Sequence, residues 1–139
     1  MHLVLNVLTT ARALEKAAAR VFRPHGLTTA QFNVLTVLSR NPDGMRASAL
    51  ADALVVDPSN VTGLLRRMSK EGLITELGNE ADRRQYNVGL SPKGLAAWSK
   101  ADADYQRSLR RVLAPISDSS INTAVKVLAS LEAGAASLP

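Results

Sequence analysis

The sequence predicts a mainly α-helical fold that carries one short β-hairpin. Apolar residues recur at spacings of three and four along both ends of the chain, as they do in helices that bury one face. Clusters of proline, glycine and asparagine divide the chain between these stretches. Residues 73–77 and 86–90 alternate between apolar and polar types around a charged connection at 78–84, which predicts two strands.

The N-terminal part predicts two helices. The first covers residues 3–22 and ends at Pro24, His25 and Gly26, a combination that interrupts helices. Thr28 or Thr29 can then accept hydrogen bonds from the first amides of a second helix. The apolar pattern of the first helix predicts one buried stripe, made of Val4, Val7, Leu8, Ala11, Leu14, Ala18 and Val21.

Two further helices follow the turn at residues 41–44. A short one is predicted over residues 48–54, and a longer one begins at Asp57 and Pro58 and ends near Gly72. The Asp57 carboxylate can cap the free amides of the first turn, and its charge complements the helix dipole. Proline at the first helical position removes no intrahelical hydrogen bond. These two residues therefore mark the start of the fourth helix.

The C-terminal part predicts two more helices. Ser91 and Pro92 open a long helix that reaches about Leu113, and Ser117 or Asp118 caps a last one that reaches about Ala133. Their apolar residues exceed what one small domain can cover, so we expect a dimer interface, with packing inside one chain as the alternative. These residues are Leu109, Val112, Leu113, Ile116, Ile121, Val125, Leu128 and Leu131.

The fourth helix has the chemistry of a helix that reads DNA. Its apolar residues Val61, Leu64, Leu65 and Met68 share one stripe. Short polar residues near its start allow close approach to base edges in the major groove, and cations farther along neutralise phosphates. The alternative is a polar face that only contacts water. The residues outside the apolar stripe are Ser59, Asn60, Thr62, Gly63, Arg66, Arg67 and Lys70.

The turn between the third and fourth helices is too short for them to lie antiparallel, so we expect them to cross steeply, as in a helix-turn-helix. The predicted hairpin lies directly after this pair, which is the order found in winged helices. Its connection carries Asp82, Arg83 and Arg84, where two guanidinium groups lie side by side. An arginine held beside the duplex can enter the narrow minor groove, where the electrostatic potential is more negative. A solvated turn is the alternative. The wing therefore supports DNA binding independently of the helix.

Composition narrows the function classes. The chain of 139 residues carries a net charge of +5, which favours a polyanionic partner. It has no cysteine and two histidines, so we predict no thiol chemistry, no metal site and no cofactor. No grouping of Ser, His and Asp and no pair of carboxylates suggests an enzyme. No apolar run approaches the roughly 20 residues that span a bilayer, and no signal peptide is evident, so we expect a cytoplasmic protein.

Short motifs follow one another in collinear order at residues 27–32, 50–51, 57–62, 70–74, 82–84 and 90–94. Together they resemble those of the MarR family of winged helix-turn-helix transcriptional regulators. No single stretch is specific, but the collinear set covers roughly half of the chain. One position departs from the family pattern, because Gly63 stands where many relatives carry a basic residue. One hypothesis is that this glycine allows closer approach of the helix backbone to DNA, and the alternative is neutral drift at this position.

The resemblance implies a homodimeric repressor that binds double-stranded DNA at a pseudo-palindromic operator. Residues 1–26 and 92–139 would form the helical dimerisation region, and residues 27–91 the DNA-binding lobe. Ser59, Asn60 and Thr62 would read the major groove, while Arg84, positioned by Asp82, would work in the minor groove. A small anionic or phenolic effector would bind between the two regions and release the DNA. The alternative is a winged-helix protein-interaction module without specific DNA binding.

Overall fold

The computed structural model describes residues 2–54, 58–78 and 87–138. In these ranges it contains α-helices and one antiparallel pair of strands, in the order that the sequence predicts. A single 3₁₀ turn, Arg23–His25, follows the first helix at the predicted break. The elements are α1 (His2–Phe22), α2 (Thr29–Ser39), α3 (Ala47–Leu54), α4 (Pro58–Lys70), β1 (Ile74–Leu77), β2 (Asn87–Leu90), α5 (Pro92–Leu113) and α6 (Asp118–Ala135).

Hydroxyl groups cap three of the helices. The Thr28 side chain accepts a hydrogen bond from the Gln31 amide at the start of α2, so Thr28 and not Thr29 is the cap. The Ser91 hydroxyl accepts from the Gly94 amide at 2.9 Å and opens α5. Ser117 accepts from the Ser120 amide at the start of α6. Each cap satisfies an amide that has no partner inside its own helix.

The hairpin has a third partner that the sequence did not reveal. β1 and β2 pair in antiparallel register, with Ile74 opposite Leu90 and Leu77 opposite Asn87. Met45, in the segment before α3, exchanges both backbone hydrogen bonds with Val88, at 2.8 and 2.9 Å. β2 is therefore held on both edges. This bond pair joins the base of the wing to the start of the helix-turn-helix.

The described residues fall into two compact units, which divide the chain between residues 105 and 106. The first unit contains a continuous core drawn from α1 to the beginning of α5. The Phe22 ring stacks on Phe32 with the ring centres 4.0 Å apart, and Tyr105 meets both rings at an angle. The largest side chains of this core that are fully buried are Phe22, Leu35, Leu38, Leu50, Met68, Val34 and Val61.

The first helix buries less of its stripe than the periodicity suggests. Only Ala18 and Phe22 of α1 are buried, because only its last turns reach the aromatic core. Val4, Leu8 and Leu14 remain about half exposed in the single chain. The prediction of a stripe buried along the whole helix is therefore wrong for one chain taken alone.

The second unit buries none of the residues of α6. Val112, Ile116, Val125 and Leu128, all from the set expected at an interface, are more than two fifths exposed.

No helix in the described ranges combines the length and the apolar character needed to cross a membrane.

Candidate nucleic-acid interface

The inner face of α4 packs into the core of the first unit. Val61, Leu65 and Met68 are buried there, as predicted, and Leu64 is half-buried. Leu50 and Ala51 of α3 are fully buried in the same cluster. The small Ala51 side chain allows α3 and α4 to approach closely. This packing fixes which side of α4 faces outward.

The outer face of α4 carries the candidate DNA-binding residues that belong to this helix. Each of these α4 residues is exposed except Gly63, which is half-buried. The short polar side chains lie toward the start of the helix, and Arg67 and Lys70 lie in its last turn, where cations are stabilised by the helix dipole. The face therefore combines hydrogen-bonding groups at one end with positive charge at the other. Its members are Ser59, Asn60, Thr62, Gly63, Arg66, Arg67 and Lys70.

Gly63 has open space beside it in the described part of the chain. A Cβ atom built at this position would have no neighbour within 4 Å beyond its own helix. Its backbone also lies outside the left-handed region, in contrast to Gly26, Gly44 and Gly72, which have positive φ. Within the described residues, neither packing nor backbone conformation therefore requires glycine at position 63.

Two grooves flank α4. One lies against the hairpin, is lined by Thr62, Arg66 and Lys70 from the helix and by Glu76 and Val88 from the strands, and has a volume of about 240 Å³. The other lies against α2 and α3 and has a volume of about 330 Å³. The exposed side of α4 therefore protrudes between the two grooves. A helix with side chains is about 10–12 Å wide, and the major groove of B-DNA is about 12 Å wide.

The C-terminal end of α4 is tied to its neighbours. Gly72 adopts φ +73°, the left-handed conformation that ends helices. The Gln31 side-chain nitrogen donates to a carboxylate oxygen of Glu71 at 2.9 Å. The Lys93 ammonium donates to the Glu71 main-chain carbonyl at 2.7 Å. The Ser91 hydroxyl donates to the Gly72 carbonyl. Gln31 and Glu71 were not among the predicted site residues, although Thr28 and Gln31 have the spacing of a capping box.

Gly94 places the first turn of α5 directly on the main chain before β1. It is buried, and a Cβ atom at this position would overlap the Leu73 carbonyl oxygen. The Ser91 amide also donates to that oxygen, at 3.3 Å. Glycine is therefore required by close contact, and this contact orders the segment that joins α4 to the wing.

The wing candidates lie outside the described residues. Asp82, Arg83 and Arg84 belong to the segment 79–86, and the predicted cap Asp57 belongs to the segment 55–57. What the structure adds for the wing is the base of its hairpin, β1 and β2.

Comparisons with known proteins agree with this geometry. A sequence model of the MarR family matches residues 25–85. The crystal structure of a MarR family transcription regulator superimposes with a TM-score of 0.88 at 25% sequence identity, and the match covers 97% of this chain and 89% of that chain. The chain belongs to the MarR family. The matched residues include α2, α3 and α4, the elements that carry the candidate interface.

Two relatives add further detail. The transcriptional regulator MOSR of M. tuberculosis, whose crystal structure is in complex with DNA, is 30% identical, with a TM-score of 0.74 and coverage of 97% of this chain and 98% of that chain. The transcriptional activatory protein BadR of Rhodopseudomonas palustris is 36% identical over 99 residues, which are 70% of this chain. The match covers 57% of the length of BadR. The relatives named here are described as transcription regulators and not as enzymes.

Proposed function

We propose that this MarR family member is a sequence-specific DNA-binding transcription regulator with no catalytic role. It acts as a homodimer on a pseudo-palindromic operator. The observation that carries this proposal is the outer face of α4, which is exposed, polar near its start and cationic near its end. The DNA complex of a relative that is 30% identical and matches over almost its whole length supports the same function.

The residues of α4 divide into two roles in this proposal. Ser59, Asn60 and Thr62 offer hydrogen-bond donors and acceptors to base edges, and Gly63 lets the helix backbone approach the groove floor. The cations Arg66, Arg67 and Lys70 contact phosphates, which sets the position of the helix and not the preferred sequence. The polar residues therefore determine which DNA is bound, and the cations determine how strongly any DNA is bound.

The wing contributes to DNA binding through Asp82, Arg83 and Arg84 in this proposal. Their assignment rests on the sequence. The described hairpin base supports this assignment, because it lies beside the groove that contains Arg66 and Lys70. Arg84 enters the minor groove in this proposal, and Asp82 orients its guanidinium group. Their contribution adds to that of α4 because minor-groove and major-groove contacts involve different surfaces of the duplex.

Dimerisation involves residues 1–26 and 92–139 in this proposal, and DNA binding involves residues 27–91. The apolar side chains of α1 and α6 that remain exposed in one chain support this division, since self-association removes such surface from water. A two-fold dimer presents its reading helices to successive major grooves about 34 Å apart. The operator is therefore expected to contain two inverted half-sites.

We further propose that the dimer represses transcription in the cytoplasm and is released by a small anionic or phenolic effector. A dimer that covers a promoter excludes RNA polymerase without needing any contact with it. The effector works only if it binds one dimer geometry more tightly than the other, because equal affinity shifts no population. No residue is assigned to the effector.

The first experiment selects DNA from a pool of random duplexes with the purified full chain. We expect enrichment of an inverted repeat whose half-sites lie about one helical turn apart, roughly 10 bp from centre to centre. Anisotropy on the enriched duplex should show affinity that falls steeply as salt rises. Weak binding without enrichment of any sequence would contradict the proposal and favour the interaction module. A reporter gene behind the enriched site then distinguishes repression from activation.

A second experiment tests the assigned role of the cations. Arg67→Ala should reduce the dependence of log affinity on log salt by about 1 per protomer, equally on the selected operator and on unrelated DNA. Lys126→Ala is the matched control, because it removes one exposed cation from α6. An unchanged salt slope for Arg67→Ala, or an equal change for Lys126→Ala, would remove Arg67 from the interface.

A further inference from the structure

The Gln31 side chain makes two hydrogen bonds, one at the start of its own helix α2 and one just beyond the end of α4. Its side-chain oxygen accepts from the Thr28 amide at 3.0 Å, which closes the capping box of α2. Its side-chain nitrogen donates to the Glu71 carboxylate at 2.9 Å, directly beyond the last residue of α4. Gln31 itself is 6% exposed. One buried amide therefore joins the start of α2 to the end of the candidate reading helix.

The chemistry of the two partners fixes the orientation of this amide. A backbone N–H can only donate, so it must meet the amide oxygen, and an ionised carboxylate can only accept, so it must meet the amide nitrogen. Glutamine is the residue type that supplies both groups at this length. Glutamate would keep the cap of α2 but would place two carboxylates against each other.

The hydrogen bond between Gln31 and Glu71 lies at the C-terminal end of α4, where residues at the start of α5 also form hydrogen bonds. Lys93 binds the Glu71 main-chain oxygen and Ser91 binds the Gly72 main-chain oxygen, both from the start of α5. These contacts use main-chain groups, whereas the Gln31 contact uses the Glu71 side chain. The Gln31 bond is therefore the contact that a side-chain change at position 71 removes selectively.

We propose that Gln31 is a positioning residue that sets the alignment of α4 on DNA through Glu71. This inference rests on the proposed function, because it assigns the alignment to operator recognition. α4 has 13 residues and is therefore about 20 Å long, so a small tilt at its C-terminal end displaces the polar residues at its start. Base-edge hydrogen bonds depend on distances within a few tenths of an ångström, while phosphate contacts by flexible side chains tolerate such shifts.

The first test compares Glu71→Ala with Glu71→Gln. Both variants remove the same negative charge, but only the glutamine keeps an oxygen that accepts from Gln31. We expect Glu71→Ala to bind the selected operator about tenfold more weakly than Glu71→Gln, and both to bind a scrambled duplex of equal length within about twofold of each other. Glu71 is exposed, so neither substitution disturbs the core.

The second test exchanges the partners. Gln31→Glu should lower operator affinity at least as much as Glu71→Ala, because its carboxylate faces the carboxylate of Glu71. The double variant Gln31→Glu with Glu71→Gln restores a donor and an acceptor in reversed order. We expect it to recover operator binding to within about threefold of the unmodified chain. Thermal unfolding of each variant separates loss of alignment from loss of folding.

Amide hydrogen exchange of residues 67–72 provides a measurement that needs no DNA. Exchange should be faster in Glu71→Ala than in Glu71→Gln. If the unmodified chain selects no operator but the exchange difference appears, the proposed function fails while the positioning contact stands. If Glu71→Ala and Glu71→Gln agree in both operator affinity and exchange, the inference is wrong. A folded double variant that recovers nothing relative to Gln31→Glu would also overturn it.

Discussion

Two amphipathic helices of this chain, α4 and α6, have different surroundings. Both carry apolar residues at helical spacing on one face. The apolar face of α4 is covered by the core of its own unit, where Met68 is fully buried. The apolar face of α6 is not covered in the single chain, since Val125 is 59% exposed and Leu128 is 47% exposed. The same sequence pattern thus corresponds to a completed contact in one helix and to an open face in the other.

The difference shows what apolar periodicity encodes. It indicates which face of a helix is stabilised by removal from water, but not which residues will cover that face. For α4 the covering residues come from the same chain. For α6 we propose that they come from a second copy. The experiments below compare the inner face of α4 with its outer face, and then each helix with the other.

The largest expected effect concerns the inner face of α4. Met68→Ala should lower the free energy of unfolding by about 3 kcal/mol, because it leaves a cavity in a packed core. Urea unfolding followed by circular dichroism measures this change. Arg66→Ala on the exposed side of the same helix is the control and should cost less than about 0.5 kcal/mol. Equal costs for the two variants would mean that the inner face of α4 is not packed as described.

The second effect concerns the open face of α6. Replacing Val125 and Leu128 together by Asp should weaken self-association by about two orders of magnitude, because carboxylates would be buried in an apolar contact. Sedimentation velocity over a dilution series measures the change. Ser130→Asp adds a charge on the opposite side of α6 and should leave the association unchanged. If the double variant still associates as tightly as the unmodified chain, this face does not form the dimer.

The smallest expected effect is the change in the free energy of unfolding when a helical glycine is replaced by alanine. It compares Gly63 in α4 with Gly134 in α6. A Cβ atom added at either position would have no neighbour within 4 Å beyond its own helix, so alanine fits at both. Gly63→Ala should raise the free energy of unfolding by about 1 kcal/mol through helix propensity, and Gly134→Ala by less, because it lies near the helix end. Urea unfolding measures both changes.

The same two variants test the role proposed for Gly63. If the glycine allows close approach to DNA, Gly63→Ala should bind the selected operator more weakly while it folds more stably, and Gly134→Ala should bind it unchanged. Anisotropy titrations at constant salt measure both affinities. Operator binding by Gly63→Ala that matches the unmodified chain would show that the backbone does not need the space.

The helices and the hairpin were predictable because their signals are local. A hydroxyl before a helix, proline in its first turn and glycine after its last turn act on neighbouring backbone groups. The family was predictable for a related reason, since its motifs follow one another in fixed order between residues 27 and 94. The exposed residues of α4 followed from periodicity alone. The burial of α1 did not, because it depends on which turns of that helix reach Phe32.

The contacts that sequence analysis missed join distant parts of the chain. Glu71 lies 40 residues after Gln31, and nothing in the Thr28 to Gln31 spacing indicates that partner. Met45 pairs with Val88 through backbone groups, which leave no trace in side-chain type. In both cases the missing information is the tertiary arrangement that brings the groups together. The spacing of Thr28 and Gln31 could have identified the cap, but not the second bond of the glutamine.

The close contact between Gly94 and Leu73 also limits how this sequence can drift. The group that excludes a side chain at position 94 is the main-chain oxygen of residue 73, which is the same for every amino acid. The Leu73 side chain can therefore change to another apolar one without making room for a Cβ atom at position 94. No compensating substitution at position 73 can relieve a change of Gly94. The glycine at position 94 is therefore fixed by the path of the backbone and not by the type of side chain at position 73.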